Sequence, residues 1–273
     1  MTIKVCLAGV TGWTGKCIAT AVIDAPDLAL SGAVARSTAA QDVGEALGRE
    51  TLGVKISASV EEALLTPADV FVDFTRPEAV KAHTLQALAR GVSVVIGTSG
   101  LTAADFTDIE REALKHSAAV ISCGNFSITA ALAKHFALLA ARFLPQREII
   151  DYAHAGKPDA PSGTVQELAE ELAAVRANMI ERPLATVHGA KEARGAQIAG
   201  TPVHSLRLPG YVISFETIFG LPDQRLSIRH DSGSGAQPYV DRTLLAIRKT
   251  REVKGLVRGL DKLLFGKENA ATE

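Results

Sequence analysis

Aromatic and sulfur-bearing residues are scarce in this chain. Of its 273 residues 5% are aromatic, with a single Trp, and there are only 2 Met and 3 Cys, the cysteines at Cys6, Cys17 and Cys123. An odd cysteine count without a CxxC spacing builds neither a disulfide framework nor a cysteine metal site, so a reducing compartment is expected. Neither sign of charge dominates: 29 Lys and Arg stand against 30 Asp and Glu. That balance excludes the broad cationic field that holds nucleic acid or an anionic bilayer. Apolar runs end well short of the roughly 20 residues that span a membrane. The opening MTIKVCLAGVTGWTG has one early lysine and an apolar run that breaks into glycines, which is not the pattern of a secretory leader, so a cytoplasmic protein is expected. His188, His204 and His230 are dispersed and no HExxH occurs, so no metal is assigned.

What the chain does have is glycine, 23 residues, set in a sequence that is 47% hydrophobic. Residues 3–8, IKVCLA, read as a short buried strand. Gly9-Val10-Thr11-Gly12-Trp13-Thr14-Gly15 follows, and then the helix-like KCIATAVIDA. Strand, glycine turn and helix in that order form a dinucleotide signature: small residues allow a tight turn, and backbone N–H groups at the helix start approach a pyrophosphate. Trp13 and Thr14 lie inside this turn; the indole either leans on a cofactor or caps the domain surface. The second strand, LALSGAVAR, ends at Arg36. Ala35 offers no carboxylate for ribose hydroxyls, whereas Arg36, beside Ser37 and Thr38, suits a 2′-phosphate, so NADPH is expected over NADH, with a solvated surface role for Arg36 as the alternative. Strands and helices continue to alternate. Phe74 and Thr75, Gly97 and Thr98, and Asn125 and Phe126 each follow an apolar strand and are candidates for the nicotinamide side of the cofactor.

The expected fold class is therefore α/β: a Rossmann-like, doubly wound parallel sheet in residues 1–126, then a second α/β domain in 127–240 with an open mixed sheet, then a helical return in 241–273. The second domain holds the densest chemistry. A strand leads into His154, Lys157, Asp159, Ser162, Gly163 and Thr164, which form a loop and a helix start. A helix N-terminus with small hydroxyl residues holds a carboxylate, and Lys157 adds a positive charge and a proton for the atom left electron-rich by hydride transfer. His154 reads as a substrate hydrogen-bond partner, with an interior structural role or proton donation as alternatives.

These motifs together, IKVCLAGVTGWTGK, VFVDFTRPEAV, VVIGTSG, CGNFS, KPDAPSGT, VHSLRLPG, ETIFG and LSIRHDSGS, resemble the dihydrodipicolinate reductase (4-hydroxy-tetrahydrodipicolinate reductase) family over nearly the whole chain. The resemblance implies a bacterial cytoplasmic enzyme of lysine and diaminopimelate synthesis. Such an enzyme reduces a cyclic imino dicarboxylate with NADPH or NADH, and its second-domain sheet builds a homotetramer. It makes Gly9, Gly12 and Gly15 the nucleotide glycines and Arg36 the 2′-phosphate arginine. Thr75, Gly97 and Thr98 then line the nicotinamide end, and Ser162, Gly163 and Thr164 form the carboxylate loop beside His154 and Lys157. Family members read close to HHxHKxDAPSGT; here the first histidine is Ala153 and another is Gly156. That departure leaves Lys157 or water as the proton donor. It also keeps two other readings open, a reductase of a different carboxylated imine or keto acid and a non-catalytic NADP sensor.

Overall fold

A computed structural model describes residues 2–266. The described residues divide into two compact units, one made of 2–128 and 236–266, the other of Thr129–Gly235. The first unit opens with strictly alternating elements: β1 (Ile3–Ala8), α1 (Trp13–Asp24), β2 (Leu28–Val34), α2 (Val43–Ala46), β3 (Ile56–Ser57), α3 (Val60–Ala63), β4 (Val70–Asp73), α4 (Pro77–Leu88), β5 (Ser93–Ile96), α5 (Ala103–Lys115) and β6 (Ala119–Ser122). Its strands are mostly apolar because a parallel sheet covered on both faces buries most of its side chains; all four residues of β4 and of β6 are buried. Helix starts are written locally. Thr102 caps α5 by accepting from the Asp105 N–H, while the Asp105 carboxylate accepts from the Thr102 N–H. Lys81 on α4 reaches Asp105 and Asp108, each at 2.8 Å, and its ammonium holds the Asp105 carboxyl down at about 2.

The second unit runs α6 (Ile128–Ala141), β7 (Gln146–Ala153), α7 (Gly163–Val175), β8 (Ala196–Ile198), β9 (Thr201–Arg207), β10 (Ile213–Leu221) and β11 (Gln224–Asp231). Its sheet has the order β11-β10-β7-β9-β8. The β7–β9 pair is parallel and the other pairs are antiparallel, so the sheet is mixed. Strand alternation decides the core: Ile149 of β7, Val203 of β9, and Phe215 and Phe219 of β10 pack with Val165, Leu168 and Leu172 of α7 and the alanines of α6. Lys134 of α6, itself buried, joins the helices by pairing with Glu167 at 2.5 Å and Glu171 at 2.8 Å.

The chain then returns to the first unit as α8 (Gln237–Lys249), β12 (Gly255–Arg258) and α9 (Leu260–Phe265). This segment reads as wholly helical in the sequence, and the structure corrects that. Gly255 and Gly259, at φ +73° and +98°, interrupt the helix, and the four residues Gly255–Arg258 pair in parallel with β6. The completed sheet is seven-stranded, β12-β6-β5-β4-β1-β2-β3, with every pairing parallel. Its order reverses between β1 and β4, which opens a crevice at the strand C-termini. Among the described residues no helix is long and apolar enough to cross a membrane.

His230 on β11 lies buried against the Phe215 ring at 5.6 Å, with Nδ1 3.2 Å from Thr129 Oγ1 and Nε2 without a hydrogen-bond partner among the described residues. Burial pushes the imidazole below its ordinary value. The unfolded chain therefore takes up this proton first as pH falls, so the stability it contributes is full above the ordinary imidazole value and lost as pH drops toward the folded value. As pH falls from about 7.5 to about 5.5 the wild type should lose more stability than His230→Phe in urea unfolding. Equal losses in the two proteins would reject the assignment.

Candidate functional site

In the first unit β1 runs straight into a turn that only glycine can make. Gly9 sits at φ +84°, and a Cβ there would lie 2.1 Å from the Phe74 carbonyl oxygen; a Cβ on Gly15 would lie 1.9 Å from the Gly9 carbonyl oxygen. Gly12 donates its N–H to that same carbonyl at 2.8 Å and forms the N-cap of α1. The helix opens with no side-chain cap and no acid in its own first turn, so neither competes with an anion at its positive end.

The turn forms one wall of a cleft of about 1070 Å³ that also takes in Arg36, Phe74, Thr75, Arg76 and His83. Of the residues expected to hold a cofactor, Gly9, Thr11, Gly12, Arg36, Phe74 and Thr75 share this cleft. Trp13 is 57% exposed and meets Tyr239 of α8 edge-on at 6.0 Å, and Thr14 follows it in the first turn of α1. Gly97 makes room for Phe74, because a Cβ would lie 2.1 Å from the ring. Phe74 in turn packs on the buried Phe126 at 5.9 Å, and Asn125 Oδ1 accepts from the Ser127 N–H. Just past β2 stands Ala35, followed by an exposed Arg36; among the described residues Arg36 makes no ion pair, and the buried Thr38 Oγ1 two positions on has no hydrogen-bond partner. A glycine cradle and an uncommitted guanidinium along one cleft fit a phosphorylated dinucleotide.

The sequence places Asp73 at the ligand-bearing edge of the sheet without assigning it a role. The last residue of β4, it is fully buried, and its carboxylate accepts from Thr75 Oγ1 at 2.7 Å, Thr98 Oγ1 at 2.6 Å and the Thr75 N–H at 3.0 Å, with His83 Nδ1 at 2.8 Å. The available signal was an acid closing an otherwise apolar strand, VFVD.

In the second unit a second buried carboxylate organises the polar loop. Asp151 of β7 accepts from the Ser162 N–H and Oγ at 2.8 Å each, from Ser205 Oγ at 3.3 Å and from Arg207 Nη2 at 2.7 Å. The same Arg207 nitrogen donates to the Asp159 carbonyl at 2.7 Å, which ties both ends of the loop to one point. Both donors of Ser162 thus turn inward, and Gly163 and Thr164 begin α7, whose first turn contains no acid. Lys157 Nζ rests 2.5 Å from Asp159 Oδ1, and its N–H donates to the carbonyl of the exposed His154. Ala153 is fully buried and pairs in register with Arg207 on the neighbouring strand. Asp151 and Arg207 were not legible as site residues, because nothing local to either one announces the other. Among the described residues no three His, Cys, Asp or Glu side chains group to hold a metal ion.

Comparison with known proteins bears on both units. Sequence models of the dihydrodipicolinate reductase N-terminus and C-terminus match residues 3–126 and 126–264. A 4-hydroxy-tetrahydrodipicolinate reductase of Thermosynechococcus vestitus is 39% identical over 268 residues, covering 96% of this chain and 97% of the relative. One from Desulfitobacterium hafniense is 37% identical over 264 residues, with 96% and 98% covered. The solved structure of a dipicolinate-bound dihydrodipicolinate reductase from Paenisporosarcina superposes with a TM-score of 0.74 at 32% identity, covering 96% of this chain and 99% of that one. An amine dehydrogenase from Mycobacterium smegmatis, at 15% identity and a TM-score of 0.68, shares the fold alone. Matched over residues 3–264 by the two halves of a single family, the chain belongs to the dihydrodipicolinate reductases and is an NAD(P)H-dependent oxidoreductase.

Proposed function

We propose that this chain reduces 4-hydroxy-tetrahydrodipicolinate to tetrahydrodipicolinate in the synthesis of lysine and diaminopimelate, using NADPH in preference to NADH. The observation that carries the substrate reading is Lys157, an ammonium held on a loop that Asp151 and Arg207 pin beside the start of α7. When bound, NADPH supplies a hydride. The glycine turn holds the pyrophosphate through backbone N–H groups, and Arg36 pairs with the 2′-phosphate where Ala35 offers no competing acid. In the second unit the first turn of α7, at Gly163 and Thr164, receives a substrate carboxylate. Ser162 serves it indirectly, holding the loop through Asp151. Lys157 exchanges the Asp159 carboxylate for the substrate and holds the proton on Nζ, and His154 supplies a hydrogen bond.

Ala153 favours Lys157 as donor, since a buried methyl group can neither give nor accept a proton. The same substitution supports a second reading, a related reductase acting on another carboxylated imine or keto acid. The proposal extends to a cytoplasmic homotetramer that associates through the second unit's sheet, where β11 is exposed along most of its length; light scattering in solution tests it.

Freshly generated 4-hydroxy-tetrahydrodipicolinate should drive NADPH oxidation by the purified protein; intact NADPH binding with no turnover would reject this substrate. Lys157→Ala should lower kcat by roughly 10²-fold or more, and an unchanged kcat would remove Lys157 from proton delivery. Arg36→Ala should raise KM for NADPH by about tenfold while leaving NADH unaffected, as expected for loss of a charge-assisted phosphate contact.

A further inference from the structure

The Asp73 carboxylate takes its hydrogen bonds from the nucleotide cleft and its immediate support, and the count of protons there has a consequence. A threonine hydroxyl has one proton and two lone pairs. Thr75 Oγ1 lies 2.7 Å and Thr98 Oγ1 2.6 Å from the same oxygen, Asp73 Oδ1, while His83 Nδ1 lies 2.8 Å from Oδ2. Convergence of donors on both oxygens suits an ionised carboxylate, which only accepts, so each threonine spends its single proton on Asp73. One lone pair of Thr98 Oγ1 is taken by the Thr75 N–H at 2.7 Å. What remains is acceptor capacity alone: two lone pairs on Thr75, which lines the cleft, and one on Thr98. Neither hydroxyl can donate to a ligand without abandoning a fully buried charge, a loss that costs more than a ligand hydrogen bond returns.

Thr75 and Thr98 follow β4 and β5, the strands that serve the second mononucleotide half in this winding order. We propose that Asp73 is a positioning residue that sets the hydrogen-bond polarity of Thr75 and Thr98, making this edge acceptor-only and selecting the carboxamide of a nicotinamide dinucleotide against a carboxylate at the same ring position. The inference rests on the NADPH reading. A carboxamide NH2 donates to the threonine oxygens; a nicotinate carboxylate sets acceptor against acceptor, and rejection follows from the unpaired lone pairs rather than from size.

The test compares calorimetric Kd values for NADP+, for its nicotinic acid counterpart, and for 2′,5′-ADP, which lacks the nicotinamide half. The wild type should prefer NADP+ over the nicotinic acid form by at least about tenfold. That preference should fall to within about threefold in Asp73→Ala, whose hydroxyls are free to turn, and in Thr75→Val, which keeps the shape without the acceptor. Thr75→Ser should retain it, and 2′,5′-ADP should bind all four proteins equally. A wild-type preference near one, or one unchanged in Thr75→Val, overturns the role of Asp73. Loss of 2′,5′-ADP binding in Thr75→Val also overturns it, because the effect would then reach beyond the nicotinamide half. Failure of the wild type to bind 2′,5′-ADP overturns the NADPH reading beneath it.

Discussion

A carboxylate removed from water must have its lone pairs met, because an unpaired buried charge costs several kcal/mol. Each unit of this protein places one such group near the C-terminal end of a strand: Asp73 on β4 and Asp151 on β7, both fully buried. Each gathers donors from the loops beyond strand ends, and Asp151 from the neighbouring strand β9 as well. Asp73 draws in Thr75 and Thr98, and Asp151 draws in Ser162, Ser205 and Arg207. Loops at strand ends would otherwise be the least determined parts of an α/β fold. Here they are held by the requirement to satisfy a charge, and the candidate chemistry stands on those held loops.

The glycine turn adds a purely steric constraint to this electrostatic one. The backbone of Gly9 passes so close to the Phe74 carbonyl that no side chain fits, and Gly15 is excluded by Gly9 in the same way. The turn, the end of β4 and the helix start are therefore one packed unit. Gly97 continues the pattern by yielding its side-chain volume to the Phe74 ring, so the aromatic pair Phe74 and Phe126 is set by an absent Cβ. In the second unit Arg207 plays the complementary part, one guanidinium joining the Asp151 carboxylate to the Asp159 carbonyl. It stands beside Ala153, the position where the family pattern carries a histidine. The cation that shapes this neighbourhood is thus committed to holding the loop, and Lys157 is left as the ammonium on its outer side.

Much of the first unit was legible. Apolar runs of four to seven residues, bounded by glycines and by caps such as Thr102 and Ser59, are local signals, and they returned the strands and helices in order except for the short α2, which no such run announces. The return segment was less so. Residues 255–258 read as helix because β12 is a strand only by virtue of its neighbour β6, a partner more than 130 positions away. Ser162 shows a subtler limit: its place at a helix start was plain, but the direction of its donors depends on Asp151, which the sequence presents as one more acid in an alternating strand.

By itself, then, the sequence determined the alternation of elements, the glycine turn, the basic end of β2 and the Lys157 loop, since each depends on residues within a few positions of one another. Only the tertiary structure decided which groups answer the two buried carboxylates, because Thr98 lies 25 positions from Asp73 and Arg207 lies 56 from Asp151. Hydrogen-bond polarity is a property of the assembled partners. A threonine is both donor and acceptor in the chain, and it becomes an acceptor alone once folding has placed a buried charge against its proton.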